Sequence, residues 1–131
     1  MVNVIQISSE EYVQRIAGMK GIKVEDCRKR KPGVGYDFLF IYPDGHEEKI
    51  EVKGTKRENG GIPDMRISEF GDKKLIADYL YVVGNAGEPD DEKILYVIPR
   101  DEIKPDKLKL LSTYRVYGFG KKRLPQFRKI P

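Results

Sequence analysis

Asp37, Glu51 and Lys53 have side-chain types that, grouped on one face of a hairpin, can hold a divalent metal beside a water molecule, chemistry that suits hydrolysis of a phosphodiester. Asp37 closes Gly35-Tyr36-Asp37. A Pro43-Asp44-Gly45 turn follows, then Ile50-Glu51-Val52-Lys53-Gly54-Thr55. Residues 36–42 are aromatic and aliphatic, and 48–53 alternate charged with apolar, so both segments read as strands of a hairpin. A three-residue loop made of a type I turn plus a left-handed residue wants Pro early and Gly last. Pro43-Asp44-Gly45 meets that specification and pairs Tyr42 with His46. Counting back, Ile41 faces Glu47, Leu39 faces Lys49 and Asp37 faces Glu51. Directly opposed residues share a face with Cβ atoms roughly 4.5–5.5 Å apart. Lys53 lies two residues further on the same face, opposite Gly35. The reverse face carries Tyr36, Phe38, Phe40, Ile50 and Val52 as a core surface. A four-residue loop would separate Asp37 from Glu51, so the grouping depends on the turn.

Two neighbouring carboxylates repel unless protonated or bridged by a cation. Mg²⁺ takes few carboxylates and keeps waters and phosphate oxygens, which matches this supply. Such an ion polarises a phosphate and acidifies a bound water. Lys53 can orient that water or stabilise developing charge. The same spacing also fits a solvated strand face with Asp37 paired to Lys53. Asp44 forms a literal Pro-Asp, but turn chemistry accounts for it and it sits far from Glu51 along the hairpin, so it is rejected as a ligand.

The elements that must position these residues follow from pattern. A first helix is expected from Ser8 or Ser9 as N-cap, with Glu10 and Glu11 in its first turn. Val13, Ile16 and Ala17 form its apolar stripe, and Gly21 stops it. Glu10 flanks the inward stripe and is a candidate for the site, first-turn stabilisation being its other role. Residues 22–24 are expected as a short strand and 54–63 as a long loop. A second helix is expected over 69–79, using Leu75, Ile76 and Tyr79, with Ser68 and Glu69 as its cap. Buried strands are expected at 79–83 and 94–98, an acidic loop at 85–91, and an edge strand at 114–119.

At 131 residues, 39% hydrophobic and 35% charged, the chain has the composition of a soluble globular domain. It shows no membrane-length apolar run and no signal-peptide layout, and Cys27 is its single cysteine. A cytoplasmic location is the expectation. The net charge of +4 is modest, so distribution matters more than total. Arg28, Lys29, Arg30 and Lys31 precede the hairpin, Lys56 and Arg57 follow it, and Lys121, Lys122 and Arg123 crowd the C-terminus with Arg128 and Lys129. Such clusters suit a phosphate backbone or plain solubility. Tyr12, Tyr114, Tyr117, Phe119 and Phe127 interleave with them, as base-stacking or core residues. His46, the one histidine, lies in a turn.

Gly-Tyr-Asp-Phe, a short hairpin and Ile-Glu-Val-Lys-Gly-Thr together resemble the core of the PD-(D/E)XK nuclease superfamily, in the branch that includes the NO VEIN C-terminal domain. The likeness spans roughly residues 10–85. It implies an α/β fold, a restriction-endonuclease-like αβββαβ sandwich with a mixed central sheet flanked by helices. One such domain would cover 1–131, with a basic C-terminal segment at 120–131. The resemblance assigns Asp37 and Glu51 to Mg²⁺ or Mn²⁺, counts Val52 between them in the metal set, and gives Lys53 the attacking water. It adds a helix-borne Glu, here Glu10. Tyr36 stands where the motif has Pro. The implied activity is metal-dependent endonucleolytic cleavage of DNA, and many such enzymes pair as homodimers to cut two strands. The alternatives are a non-catalytic nucleic-acid-binding module and a structural subunit of a defence or recombination system.

Overall fold

The computed structural model describes residues 4–30, 35–58, 62, 65–66, 69–71, 74–103, 107–110, 113–115 and 123–130. Helix α1 (Val4–Met19) is followed by β1 (Lys23–Asp26), β2 (Phe38–Ile41) and β3 (Glu47–Gly54). Short strands β4 (Met65–Arg66), β5 (Phe70–Gly71) and β6 (Lys74–Leu75) lead to β7 (Tyr79–Gly84) and β8 (Ile94–Pro99). Strands β9 (Lys107–Leu110), β10 (Thr113–Arg115) and β11 (Arg128–Lys129) complete the described elements.

Six strands form one sheet in the order β1-β2-β3-β7-β8-β11. Only the β3–β7 pairing within it is parallel, so the sheet is mixed, as expected. β4, β10 and β9 make a separate three-stranded sheet. The hairpin turn has the expected form: Gly45 has φ 92°, its N–H donates to Tyr42 O at 2.8 Å, and Tyr42 N–H donates to His46 O at 3.0 Å. The resulting register pairs Ile41 with Glu47, Leu39 with Lys49 and Phe38 with Ile50.

The period-2 pleat then sorts each strand between two cores. Phe38, Phe40, Ile50, Val52, Val83 and Leu95 pack under Tyr12, Val13, Ile16 and Ala17 of α1. The opposite face carries Leu80, Val82, Ile94, Tyr96 and Ile98, covered by Met65, Phe70, Leu75 and Leu124. Tyr36, expected on the same face as Phe38 and Phe40, packs instead against this second cluster; it lies before the start of β2. Asp78 joins β3 to β7 at their start: its N–H donates to Lys49 O, and its carboxylate accepts from Lys49 N–H, both at 2.8 Å.

Helix α1 begins about a turn earlier than its serines suggest. Ser8 and Ser9 are interior residues: the Ser8 hydroxyl donates to Ala86 O across the fold (2.8 Å), and the Ser9 hydroxyl donates to Ile5 O (2.7 Å), the back-bonding that short polar side chains adopt inside helices. Glu10 therefore lies well past the first turn, and a first-turn role does not explain it. The helix ends as expected at Gly21, φ 75°. Ile22 N–H donates to Ala17 O, and Gly21 N–H donates to Gly18 O, which is the Schellman pattern. α1 lies so close to β3 that a Cβ on Gly54 would come within 2.0 Å of Ser9 Oγ.

The expected second helix is absent from the described residues of 69–79. Phe70 pairs with Leu75 and Gly71 with Lys74 in a small hairpin, closed by Ile76 N–H donating to Glu69 O at 3.0 Å. Gly71 would cost a helix interior about 1 kcal/mol. The residues buried here, Phe70, Leu75 and Ala77, do not share a helical face. Burying them in extended chain outweighs the helical reading. Of the expected edge strand at 114–119, only Tyr114 and Arg115 lie in β10, and 116–120 fall outside the described residues.

Candidate metal and catalytic site

β3 runs to Gly54, whereas β2 starts only at Phe38, so the far part of β3 has no regular partner on that side. Asp37 fills the gap. Its N–H donates to Ile50 O at 2.9 Å, its carboxylate Oδ2 accepts from Val52 N–H at 2.9 Å, and its C=O accepts from Cys27 N–H at 2.8 Å. Asp37 thus brackets Glu51 along the strand and is 3% exposed. The Val52 carbonyl on the same stretch accepts from the Gln6 side-chain amide at 2.6 Å. Asp37 and Gln6 together satisfy the two backbone groups that the end of the β2 ladder leaves open.

Glu51 projects from β3 to the face opposite α1, beside Leu80 in the parallel register, and is fully buried. Lys53 shares that face. Its ammonium lies 3.0 Å from Glu69 Oε1 and 3.5 Å from Glu51 Oε2. Glu69 is also fully buried. Burial, above all, raises the Glu51 carboxyl well above its ordinary range. The charges of Asp37 and Glu69 add to the rise, and Lys53 opposes it. Asp37 and Glu69 both act on Glu51, and the Lys53 ammonium lies beside Glu51 and Glu69; the carboxyl groups can all be ionised together only where cations offset their repulsion.

Among the described residues no three His, Cys, Asp or Glu side chains form a metal cage. The available donors are fewer: Asp37, Glu51 and the Val52 carbonyl, in a cluster where a bound cation would favour ionisation of Glu51. Mg²⁺ uses few carboxylates and keeps its remaining positions for water and phosphate oxygens, so the donor set fits such an ion.

Glu10 reaches this region from α1 without touching the other carboxylates directly. Its Oε1 accepts from Arg28 Nη1 at 2.9 Å, and its Oε2 accepts from Gln6 Nε2 at 2.8 Å. Gln6 therefore links Glu10 to the Val52 carbonyl. Gln6 and Glu69 are the residues that sequence pattern missed. Gln6 is four residues before Glu10, one helical turn, and that spacing is a signal once Glu10 is a candidate. Glu69 reads as a helix cap in the sequence, and its place beside Lys53 follows only from the β5–β6 hairpin that forms there instead.

The basic candidates divide. Arg28 is held by Asp26 (2.6 and 2.9 Å) and Glu10, and it lies 5.2 Å from the Phe38 ring centroid. Its Asp26 partner raises its pKa further. Lys29, Lys56 and Arg57 are exposed. Arg30 lies in the 3₁₀ turn Arg28–Arg30, and Arg123 bonds Glu102. Lys31, Lys121 and Lys122 lie outside the described residues. Tyr12 is a buried core residue and Phe127 is partly buried against the second core, while Tyr117 and Phe119 fall outside the described residues. Asp44 stays at the hairpin tip, where it binds His46 N–H at 3.0 Å and the His46 ring.

Residues 5–97 match the family described as Protein NO VEIN, C-terminal. The chain belongs to that family. Among solved structures it is similar to the bacterial homing endonuclease I-Ssp6803I, with a TM-score of 0.55 and 16% sequence identity over 94% of this chain and 85% of that one. No curated protein matches the sequence. At that identity the structural likeness speaks to the fold, which is restriction-endonuclease-like, as the PD-(D/E)XK resemblance implied. The family member described here differs from the expected sandwich in having one α-helix among its described residues. No described helix is long and apolar enough to cross a membrane.

Proposed function

We propose that this family member is a divalent-metal-dependent endonuclease that hydrolyses phosphodiester bonds in DNA. The observation that carries the reading is the gap beyond the start of β2. There Asp37 accepts from Val52 N–H, and Lys53 lies beside the buried carboxyl of Glu51, whose ionisation a cation would favour. Asp37, Glu51 and Val52 O would hold Mg²⁺ or Mn²⁺, which supplies Lewis-acid polarisation of the phosphate. Asp37 keeps its carboxylate oriented through the Val52 N–H. Lys53, at the mouth of the cluster with 14% side-chain exposure, positions the attacking water and offsets charge developing on the phosphate. Glu10 supports the Val52 carbonyl through Gln6. Lys29, Lys56 and Arg57 are exposed cations suited to the DNA backbone, joined by Arg30, Lys31, Lys121, Lys122 and Arg123. DNA as the substrate accords with the endonuclease name of the structural neighbour. Two copies acting on two strands would make a homodimer the working form.

The test is a cleavage panel of duplex, single-stranded, flap and four-way-junction DNA, plus RNA, with Mg²⁺, Mn²⁺ or EDTA. Cutting of at least one DNA form with metal and none with EDTA is expected. Failure on every DNA form with both metals would overturn the reading.

A further inference from the structure

We infer that Glu69 is a positioning residue for Lys53, holding its ammonium away from Glu51 so that Glu51 stays available to a cation. The inference rests on the nuclease reading above and adds a residue that the Asp37-Glu51-Lys53 set does not contain.

Lys53 and Glu51 are two residues apart on one face of β3, so an ammonium there is drawn to the adjacent carboxylate. The distances show the opposite preference: 3.0 Å to Glu69 Oε1 against 3.5 Å to Glu51 Oε2. Only the Glu69 contact is a hydrogen bond. Glu69 is set by the backbone rather than by a flexible arm. It precedes β5, and its carbonyl accepts from Ile76 N–H, which locks the base of the β5–β6 hairpin. The neighbouring Phe70, Leu75 and Ala77 are buried in the second core. The carboxylate is therefore delivered to a fixed place by the burial of its neighbours. A carboxylate fixed there competes for the ammonium without itself belonging to β3. Neutralising Glu69 removes that competitor, and the ammonium then closes onto Glu51, where a divalent ion would have to displace it.

The experiment compares wild type, the near-isosteric Glu69→Gln and the charge-preserving Glu69→Asp. Three readouts are cleavage kinetics, Mn²⁺ titration of the rate, and the rate of reductive methylation of Lys53 followed by mass spectrometry. For Glu69→Gln the expected result is a kcat lower by roughly tenfold or more, an unchanged KM for DNA and a higher half-saturating Mn²⁺ concentration. Lys53 methylation should proceed at a changed rate, and Glu69→Asp should lie between the other two. Unchanged kcat and unchanged Mn²⁺ dependence in Glu69→Gln would overturn the inference while leaving the nuclease reading intact. So would equal losses of kcat, DNA affinity and melting temperature, which mark a purely structural role. If Glu69→Gln does not fold, Glu69→Asp carries the same comparison. If the wild type cuts nothing, the nuclease reading fails by itself. The methylation rate still decides: a change in either variant supports the positioning contact, and no change overturns it.

Discussion

One strand, β3, serves two unlike regions. Ile50 and Val52 enter the core beneath α1 among Phe38, Phe40, Val13 and Ala17, all apolar and fully or almost fully buried. Glu51, between them, is equally buried but meets Asp37, Glu69 and Lys53. The α1 face gains from every methyl removed from water, at about 25 cal/mol per Å² of apolar area. The other face removes charges from water and recovers that cost only through mutual pairing. The lesson is that the apolar face holds the backbone still so that the unfavourable face can exist. Asp37, as the first residue before β2, is fixed by Phe38 beneath it.

The largest expected effect falls on the charged face. Lys53→Ala should abolish detectable cleavage, a loss of about 10²–10⁴-fold for a proton-transfer or charge-stabilising group, while DNA binding persists. Parallel cleavage and gel-shift assays would show it, and retained cutting would remove Lys53 from the site. Next, the two faces should respond oppositely to truncation in EDTA. Phe38→Ala should cost about 3–5 kcal/mol in urea unfolding, whereas Glu51→Gln should be neutral or stabilising because Gln cannot take on the charge that burial disfavours. A large destabilisation by Glu51→Gln would mean that the cluster stabilises the metal-free fold.

A smaller effect concerns pH. The folded chain holds the Glu51 proton more tightly than the unfolded chain, whose value is near the ordinary 4.5. Glu51 therefore contributes most fully below that pH, and its contribution is lost as pH rises through the raised folded value. In EDTA, the stability of wild type relative to Glu51→Gln should fall as pH rises from about 4.5. Mg²⁺ or Mn²⁺ should restore it at the upper end, where the ion favours the ionised carboxylate. Paired thermal melts across pH would check both directions. The smallest effect is expected at the hairpin tip: Asp44→Ala should leave cleavage unchanged and the melting temperature nearly so. Loss of cutting there would mean that the turn residue, and not Asp37, serves the site.

Most of the hairpin could be read in advance, because Pro43 and Gly45 specify a loop whose length fixes the parity of every residue behind it. The strands at 79–84 and 94–99 were legible from their β-branched and aromatic content. The segment 69–79 was not. Leu75, Ile76 and Tyr79 suggested a helical stripe, but the pairing of Phe70 with Leu75 and the burial of Ala77 came from covering the sheet. The start of α1 at Val4 is not legible for a related reason. Ser8 and Ser9 are good caps in isolation, yet Ser8 finds Ala86 O across the fold and Ser9 turns back on the helix.

The grouping of Asp37, Glu51 and Lys53 was contained in the chain's local chemistry, since turn geometry and the strand's two-residue period act over a few residues and need nothing distant. The company those residues keep was not. Gln6 meets Val52 from 46 residues away, and Glu69 meets Lys53 from 16. Both arrive because apolar surfaces, α1 on one face and the β5–β6 segment on the other, had to be buried. Hydrophobic burial is non-directional, so the places to which it carries polar neighbours exist only once the whole sheet is packed.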